Sequence, residues 1–179
     1  MVYVLLGTGF EEIEAIVPID LLRRAGISVL TVGVDGKSVT GSHGITVEAD
    51  ITLDQIDLTD LEMIVLPGGL GGVTTARSSQ AALDALRFAH ENNKYVAAIC
   101  AGPTVLAELG IIGTAFATCY PGCESGMGNA TVVSTACVTS GKLITGKSAG
   151  CAIPFALALI TALKGDDAAQ QIEKQIVIR

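Results

Sequence analysis

A cysteine on a strand-to-helix turn is the residue whose neighbours best equip it for chemistry. Cys100 follows the apolar run Val96-Ala97-Ala98-Ile99, which reads as a strand buried on both faces. Ala101-Gly102-Pro103 come next, then a helical stretch over residues 104–109. Proline suits a first helical turn, where its missing N–H would have had no partner. The turn is therefore that of a nucleophile elbow, with the side chain held at the carboxyl edge of a sheet. The free N–H groups and positive end of the following helix favour a thiolate there. The same residues also fit a small buried core cysteine. The elements around the cysteine have to decide between the two.

Residues 2–6 are an unbroken apolar run, read as a central parallel strand. Gly7-Thr8-Gly9 turns the chain into a helix over residues 11–25, with Ile13, Val17, Leu21 and Leu22 facing inward, Pro18 bending it and Gly26 ending it. A strand over residues 27–34 completes a βαβ unit. Gly7-Thr8-Gly9 does not open a dinucleotide site: the third glycine of that motif would fall on Glu12, and acidic residues at 11, 12 and 14 would repel a pyrophosphate. Glu11 and Glu12 complement the helix dipole, while Glu14 is placed to face the strand ends.

Residues 35–50 form a hairpin excursion with His43 solvated in Gly-Ser-His-Gly, and residues 53–58 a short helical or turn segment. A third strand, residues 63–66, runs into Pro67-Gly68-Gly69, whose backbone can approach a ligand closely and offer N–H groups. Residues 79–92 are an amphipathic helix with Ala82, Leu83, Leu86 and Ala89 inward and His90 exposed near its end. The fourth strand, 95–99, leads to Cys100. Beyond it lie a Tyr120-Pro121-Gly122 turn, a short strand at 131–133, a hairpin turning at Ser140-Gly141, helices at 150–163 and 166–174, and an apolar tail at 176–178. This order is a doubly wound α/β sandwich in one domain, residues 1–179, with its crevice at the carboxyl ends of the strands. Glu14, the Pro67-Gly68-Gly69 loop and Cys100 converge on that edge, which favours the functional reading of the cysteine.

Composition excludes several classes. Aromatic residues are 4% of the chain and the formal net charge is −7, so neither a base-stacking platform nor a phosphate-tracking surface is expected, and no nucleic-acid partner. No apolar stretch reaches the length that crosses a bilayer, and no basic flank precedes the first apolar run, so neither a membrane nor a signal peptide is expected. Five cysteines are an odd number, which fits a reducing cytoplasm better than a disulfide framework. Cys119 and Cys123 have no second ligand pair, so no metal is expected.

Five segments resemble the DJ-1/PfpI superfamily, in its DJ-1-like (ThiJ) branch: G-x-G-F-E-E-I-E-A at 7–15, P-I-D-L-L-R-R-A-G at 18–26, L-P-G-G at 66–69, A-A-I-C-A-G-P at 97–103 and F-A-L-A-L-I at 155–160. The resemblance covers nearly the whole chain. It implies a flavodoxin-like, class I glutamine amidotransferase-like sandwich, a mostly parallel sheet with helices on both faces, a homodimer and no cofactor. By the same resemblance Cys100 is the reactive cysteine, Glu14 the carboxyl beside it, and the backbone N–H groups of Gly69 and Ala101 an oxyanion pocket. The chain departs from the superfamily at four positions. Protease-like members have histidine where this chain has Ala101, so peptidase activity is not expected. Tyr120 stands where DJ-1-type members often have histidine. His43 and Lys147 stand for pocket arginines, and lysine lacks their bidentate grip on carboxylates.

Two functions follow from the resemblance. One is cofactor-independent chemistry on small 2-oxoaldehydes, of glyoxalase or deglycase type, with Cys100 attacking the carbonyl carbon and Glu14 shuttling the proton. The other is a redox sensor or redox-regulated chaperone in which Cys100 oxidises to the sulfinic acid.

Overall fold

The computed structural model describes residues 1–178 of the chain. In order, its elements are β1 (Val2–Leu6), α1 (Glu12–Arg24), β2 (Val29–Gly33), β3 (Ser38–Thr40), β4 (Thr46–Glu48), β5 (Ile51–Thr52), β6 (Met63–Leu66), α2 (Leu70–Ser78), α3 (Gln80–Glu91) and β7 (Tyr95–Ile99). Then follow α4 (Gly102–Glu108), β8 (Phe116–Ala117), β9 (Thr131–Val132), β10 (Cys137–Ser140), β11 (Leu143–Gly146), α5 (Ala152–Lys164) and α6 (Asp166–Gln175). Seven strands form the main sheet in the order β10-β11-β7-β6-β1-β2-β5. All its pairings are parallel except β10 with β11.

Alternation along the central strands builds two cores. Tyr3, Leu5, Ile64, Leu66, Val96 and Ala98 point to one face and pack with Val73 and Ala76 of α2, Leu86 of α3 and Val105 of α4. Val2, Val4, Leu6, Met63, Val65, Ala97 and Ile99 point to the other, against Ile19 and Leu22 of α1, Phe155 and Leu159 of α5 and Ile172 of α6. Covering both faces is why these strands read as unbroken apolar runs. The result is the doubly wound, flavodoxin-like sandwich expected from the sequence. Strand order reverses between β1 and β6, so the crevice of the sheet opens where Gly7 and Pro67 leave those strands.

Several local expectations need correction. Residues 70–78 carry a helix that their composition hides: Gly71, Gly72, Thr74 and Thr75 are poor helix formers. The two glycines are there because α2 lies against Gly9 and Phe10, where a Cβ on either would come within 2.9 Å or less. Strand β5 has two residues, too few for a period to show. The hairpin turns at Gly141-Lys142 rather than Ser140-Gly141, because Ser140 pairs with Leu143 and the positive φ of 61° falls on Gly141. Ile13, expected inward, is 52% exposed; with Ile16 and Ile45 it leaves apolar surface about the start of α1.

Candidate active site

Three sheet-edge turns bring the site together. The first is the elbow. Cys100 has φ of +67°, a left-handed backbone that costs a side-chain-bearing residue about 1–2 kcal/mol. Two bonds hold it: its N–H donates to the Gly146 carbonyl (3.0 Å) and its own carbonyl accepts from the Tyr120 N–H (2.8 Å). The turn leaves the thiol half-buried at the start of α4.

The second turn follows β6. Gly69 has φ of +86°, and the backbone N–H groups of Gly69 and Ala101 favour the ionised form of the Cys100 sulfur. Gly68 is wedged between the reacting groups: a Cβ there would run into Glu14 Oε2 and lie 2.5 Å from Cys100 Cβ. No other residue type fits between them.

The third turn leads into α1. Glu14 is 1% exposed, on the helix face that meets the sheet edge. Its Oε2 accepts the Gly68 N–H (3.0 Å), and its carboxyl lies beside Cys100, close enough that a Cβ on Gly68 would meet both. Burial pushes this carboxyl up to about 7, a rise that the nearby charge of Glu11 adds to. Burial and then the charge of Glu14 push the thiol up to about 12, against the pull of the Gly69 and Ala101 N–H groups. Thiol and carboxyl are one coupled pair, in which losing either proton disfavours losing the other. The arrangement can present a nucleophile, hold a proton beside it and stabilise an oxyanion.

The structure brings Cys100, Glu14, Gly69 and Ala101 together. Tyr120 contributes its backbone to the elbow, and the residue is 48% exposed. Lys147 Nζ donates to Ser134 Oγ at 3.0 Å. His43 sits at the tip of the β3–β4 hairpin, its imidazole open to solvent on one side and its Nδ1 2.9 Å from Glu12 Oε2 on the other.

That last contact gives larger parts to two groups that the sequence marked only as dipole complements. Glu12 is 6% exposed and is more than a dipole complement. It accepts the His43 N–H (2.7 Å) and the Ser42 hydroxyl (3.2 Å) besides the imidazole, so one buried carboxylate docks the hairpin onto α1. Burial alone would raise its pKa, but the bonds from His43 and Ile45 outweigh burial and bring it down to about 2. A depressed folded-state pKa gives stability that is present above the unfolded value of 4.5 and is lost as pH falls toward 2. Glu12→Gln should therefore cost about 2 kcal/mol at pH 7 by urea unfolding. The gap from wild type should narrow below pH 4.5; a gap that stays constant with pH would contradict this account. The second group, Glu11, caps α1 by accepting the Glu14 N–H (2.8 Å). Residues 11 and 68, or 12 and 43, are linked only in space, so no spacing in the sequence marks them; the donor-rich Gly41-Ser42-His43-Gly44 tip was the one available signal.

Comparison with known proteins agrees with this fold. The DJ-1/PfpI family matches residues 1–162. The chain is 36% identical over 178 residues to Protein dj-1beta of Drosophila melanogaster, covering 98% of this chain and 95% of that one. The crystal structure of that Drosophila protein superposes with a TM-score of 0.95 at 35% identity, covering 99% of this chain and 97% of that one. A deglycase of Pyrococcus horikoshii is 33% identical over 128 residues, 72% of this chain and 76% of that one. An oxidized DJ-1 from Toxoplasma gondii superposes with a TM-score of 0.92 at 33% identity, covering 98% of this chain and 97% of that one.

Proposed function

The chain belongs to the DJ-1/PfpI family, and from that premise we propose that it is a DJ-1-like stress-response protein that converts small 2-oxoaldehydes without a cofactor, through Cys100 and Glu14. The observation that carries the reading is a left-handed elbow thiol set beside a carboxyl buried to 1% exposure, so close that one Cβ on Gly68 would meet both residues. A deglycase among the relatives supports a carbonyl substrate. In methylglyoxal the thiol sulfur bonds to the aldehyde carbon, its proton passing to the oxygen, and the product is a hemithioacetal. The N–H groups of Gly69 and Ala101 face the oxyanion that develops in this step. Glu14, as carboxylate, then takes the C1 proton and returns it to C2, leaving the thioester of lactate. Water hydrolyses that ester and frees the thiol. No external oxidant or reductant is consumed, because C1 is oxidised as C2 is reduced.

A second reading has its own support. Two backbone donors and a protonated carboxyl around one sulfur also suit a sulfinate, and a Toxoplasma relative is described in an oxidized form. In that reading peroxide oxidises Cys100 selectively and the protein acts as a redox sensor or redox-regulated chaperone.

The proposed assembly is a homodimer, and the exposed Ile13, Ile16 and Ile45 supply an apolar face for a second copy. Among the described residues no helix is long and apolar enough to cross a membrane. An odd number of cysteines suits the reducing cytoplasm as the working compartment.

The deciding experiment is conversion of methylglyoxal to lactate without glutathione, for wild type and Cys100→Ala. Turnover in wild type alone is the expected result. Folded wild type with a reduced Cys100 and no turnover would overturn the enzyme reading and leave the sensor in front.

A further inference from the structure

A closed ring of three hydrogen bonds ties the first turn of α1 to the loop after β6. The Glu11 N–H donates to the Gly68 carbonyl (2.9 Å), the Gly68 N–H donates to Glu14 Oε2 (3.0 Å), and the Glu14 N–H donates to Glu11 Oε2 (2.8 Å). Glutamate is an uncommon N-cap; Ser, Thr, Asp and Asn cap with less side-chain freedom to lose. Glutamate at this position does more than cap. Its carboxylate, about 15% exposed, stands one helical turn before Glu14. On its outer side His43 Nδ1 lies 4.0 Å from Glu11 Oε1.

We propose that Glu11 is a positioning residue that helps Glu14 retain its own proton beside Cys100, and that His43 is the counter-charge that moderates it. The proposal rests on the reading of Glu14 and Cys100 as the reacting pair. The titratable groups around Glu11 are Glu12 and Glu14 on its own helix, His43 on the hairpin and, beyond Glu14, Cys100. A negative charge at Glu11 disfavours a second one at Glu14, so Glu14 keeps its proton to higher pH. A protonated imidazole beside Glu11 works the other way. Its own proton is stabilised by the bond to Glu12, by that residue's charge and by Glu11, so His43 titrates above its usual range. External pH thus reaches the pair in two steps, from an exposed ring to a partly covered carboxylate and on to a buried one. An arginine in this place would hold the charge fixed; histidine makes it adjustable.

The test is an NMR titration of protein labelled at the glutamate carboxyl carbon, with the Glu14 signal assigned by its loss in Glu14→Gln. Glu11→Gln keeps an oxygen to accept the Glu14 N–H and removes only the charge. It should lower the Glu14 midpoint by about half a pH unit, roughly threefold in the proton equilibrium. His43→Gln keeps a donor toward Glu12 and should raise the midpoint by a smaller amount, since the ring is exposed and screened. Shifts of opposite sign are the expected result; a residue that acted only as a cap would give none. An unmoved midpoint in folded Glu11→Gln overturns the role of Glu11, and an unmoved or lowered one in His43→Gln overturns that of His43. The titration needs no substrate, so its outcome stands apart from the turnover test of the enzyme reading.

Discussion

If Cys100 and Glu14 act as proposed, Glu14→Gln should lower methylglyoxal turnover by ~10²–10⁴-fold while speeding alkylation of Cys100 at pH 8 roughly tenfold. The two effects have opposite signs for one reason. Glutamine is nearly the same size, so its oxygen can accept the Gly68 N–H and its amide can face the sulfur, which keeps the packing of a residue that is 1% exposed. It cannot carry a proton from one carbon to the next, and general acid–base transfer contributes about two to four orders of magnitude. At pH 8 the wild-type Glu14, with its pKa near 7, is ionised, and its charge then holds the thiol protonated. The amide removes that charge, so a larger share of Cys100 is thiolate and reacts with iodoacetamide. Turnover and alkylation falling together would mean that the substitution disturbed the elbow, and the proton-shuttle role of Glu14 would lose its support.

Gly68→Ala should abolish the site by shape alone. The added methyl would collide with Glu14 Oε2 and lie 2.5 Å from Cys100 Cβ, and neither can retreat: one is held by the Gly68 backbone itself, the other by the elbow. Overpacking of this kind costs about 1–3 kcal/mol of stability. A displacement of about 1 Å at reacting groups costs on the order of 100-fold in rate. Turnover should therefore fall at least ~100-fold in protein that still folds, with a lowered urea midpoint. Near-normal turnover would show that the carboxyl and thiol need not touch for the chemistry to proceed.

What was legible in the sequence follows from locality. Residues 95–103 report their own geometry, since an apolar strand, a cysteine and a proline in the next helical turn leave few turns to choose from, and the structure has that elbow. The parallel sheet was legible for a similar reason, because strands covered on both faces show as unbroken apolar runs. Helix α2 was not, because its glycines answer to Gly9 and Phe10, some sixty residues away, and weaken the local signal. Glu12 was read through its neighbours in the chain as a dipole complement, whereas its partners are at 42–45. Ile13 follows the helical period of a buried residue, and periodicity alone cannot separate a face turned to the sheet from one left open beside it.

The left-handed backbone at Cys100 bears on inheritance as well as on chemistry. Glycine would adopt that dihedral without strain, and a single base change converts a cysteine codon to a glycine codon. Random mutation and selection for stability therefore both lead away from cysteine at this position, and only selection for the thiol opposes them. A lineage that ceased to use the chemistry would keep the sheet, the helices and the hairpin, and would shed the sulfur early. The elbow is thus a position where descendants would record in one residue whether the ancestral trade was still being practised.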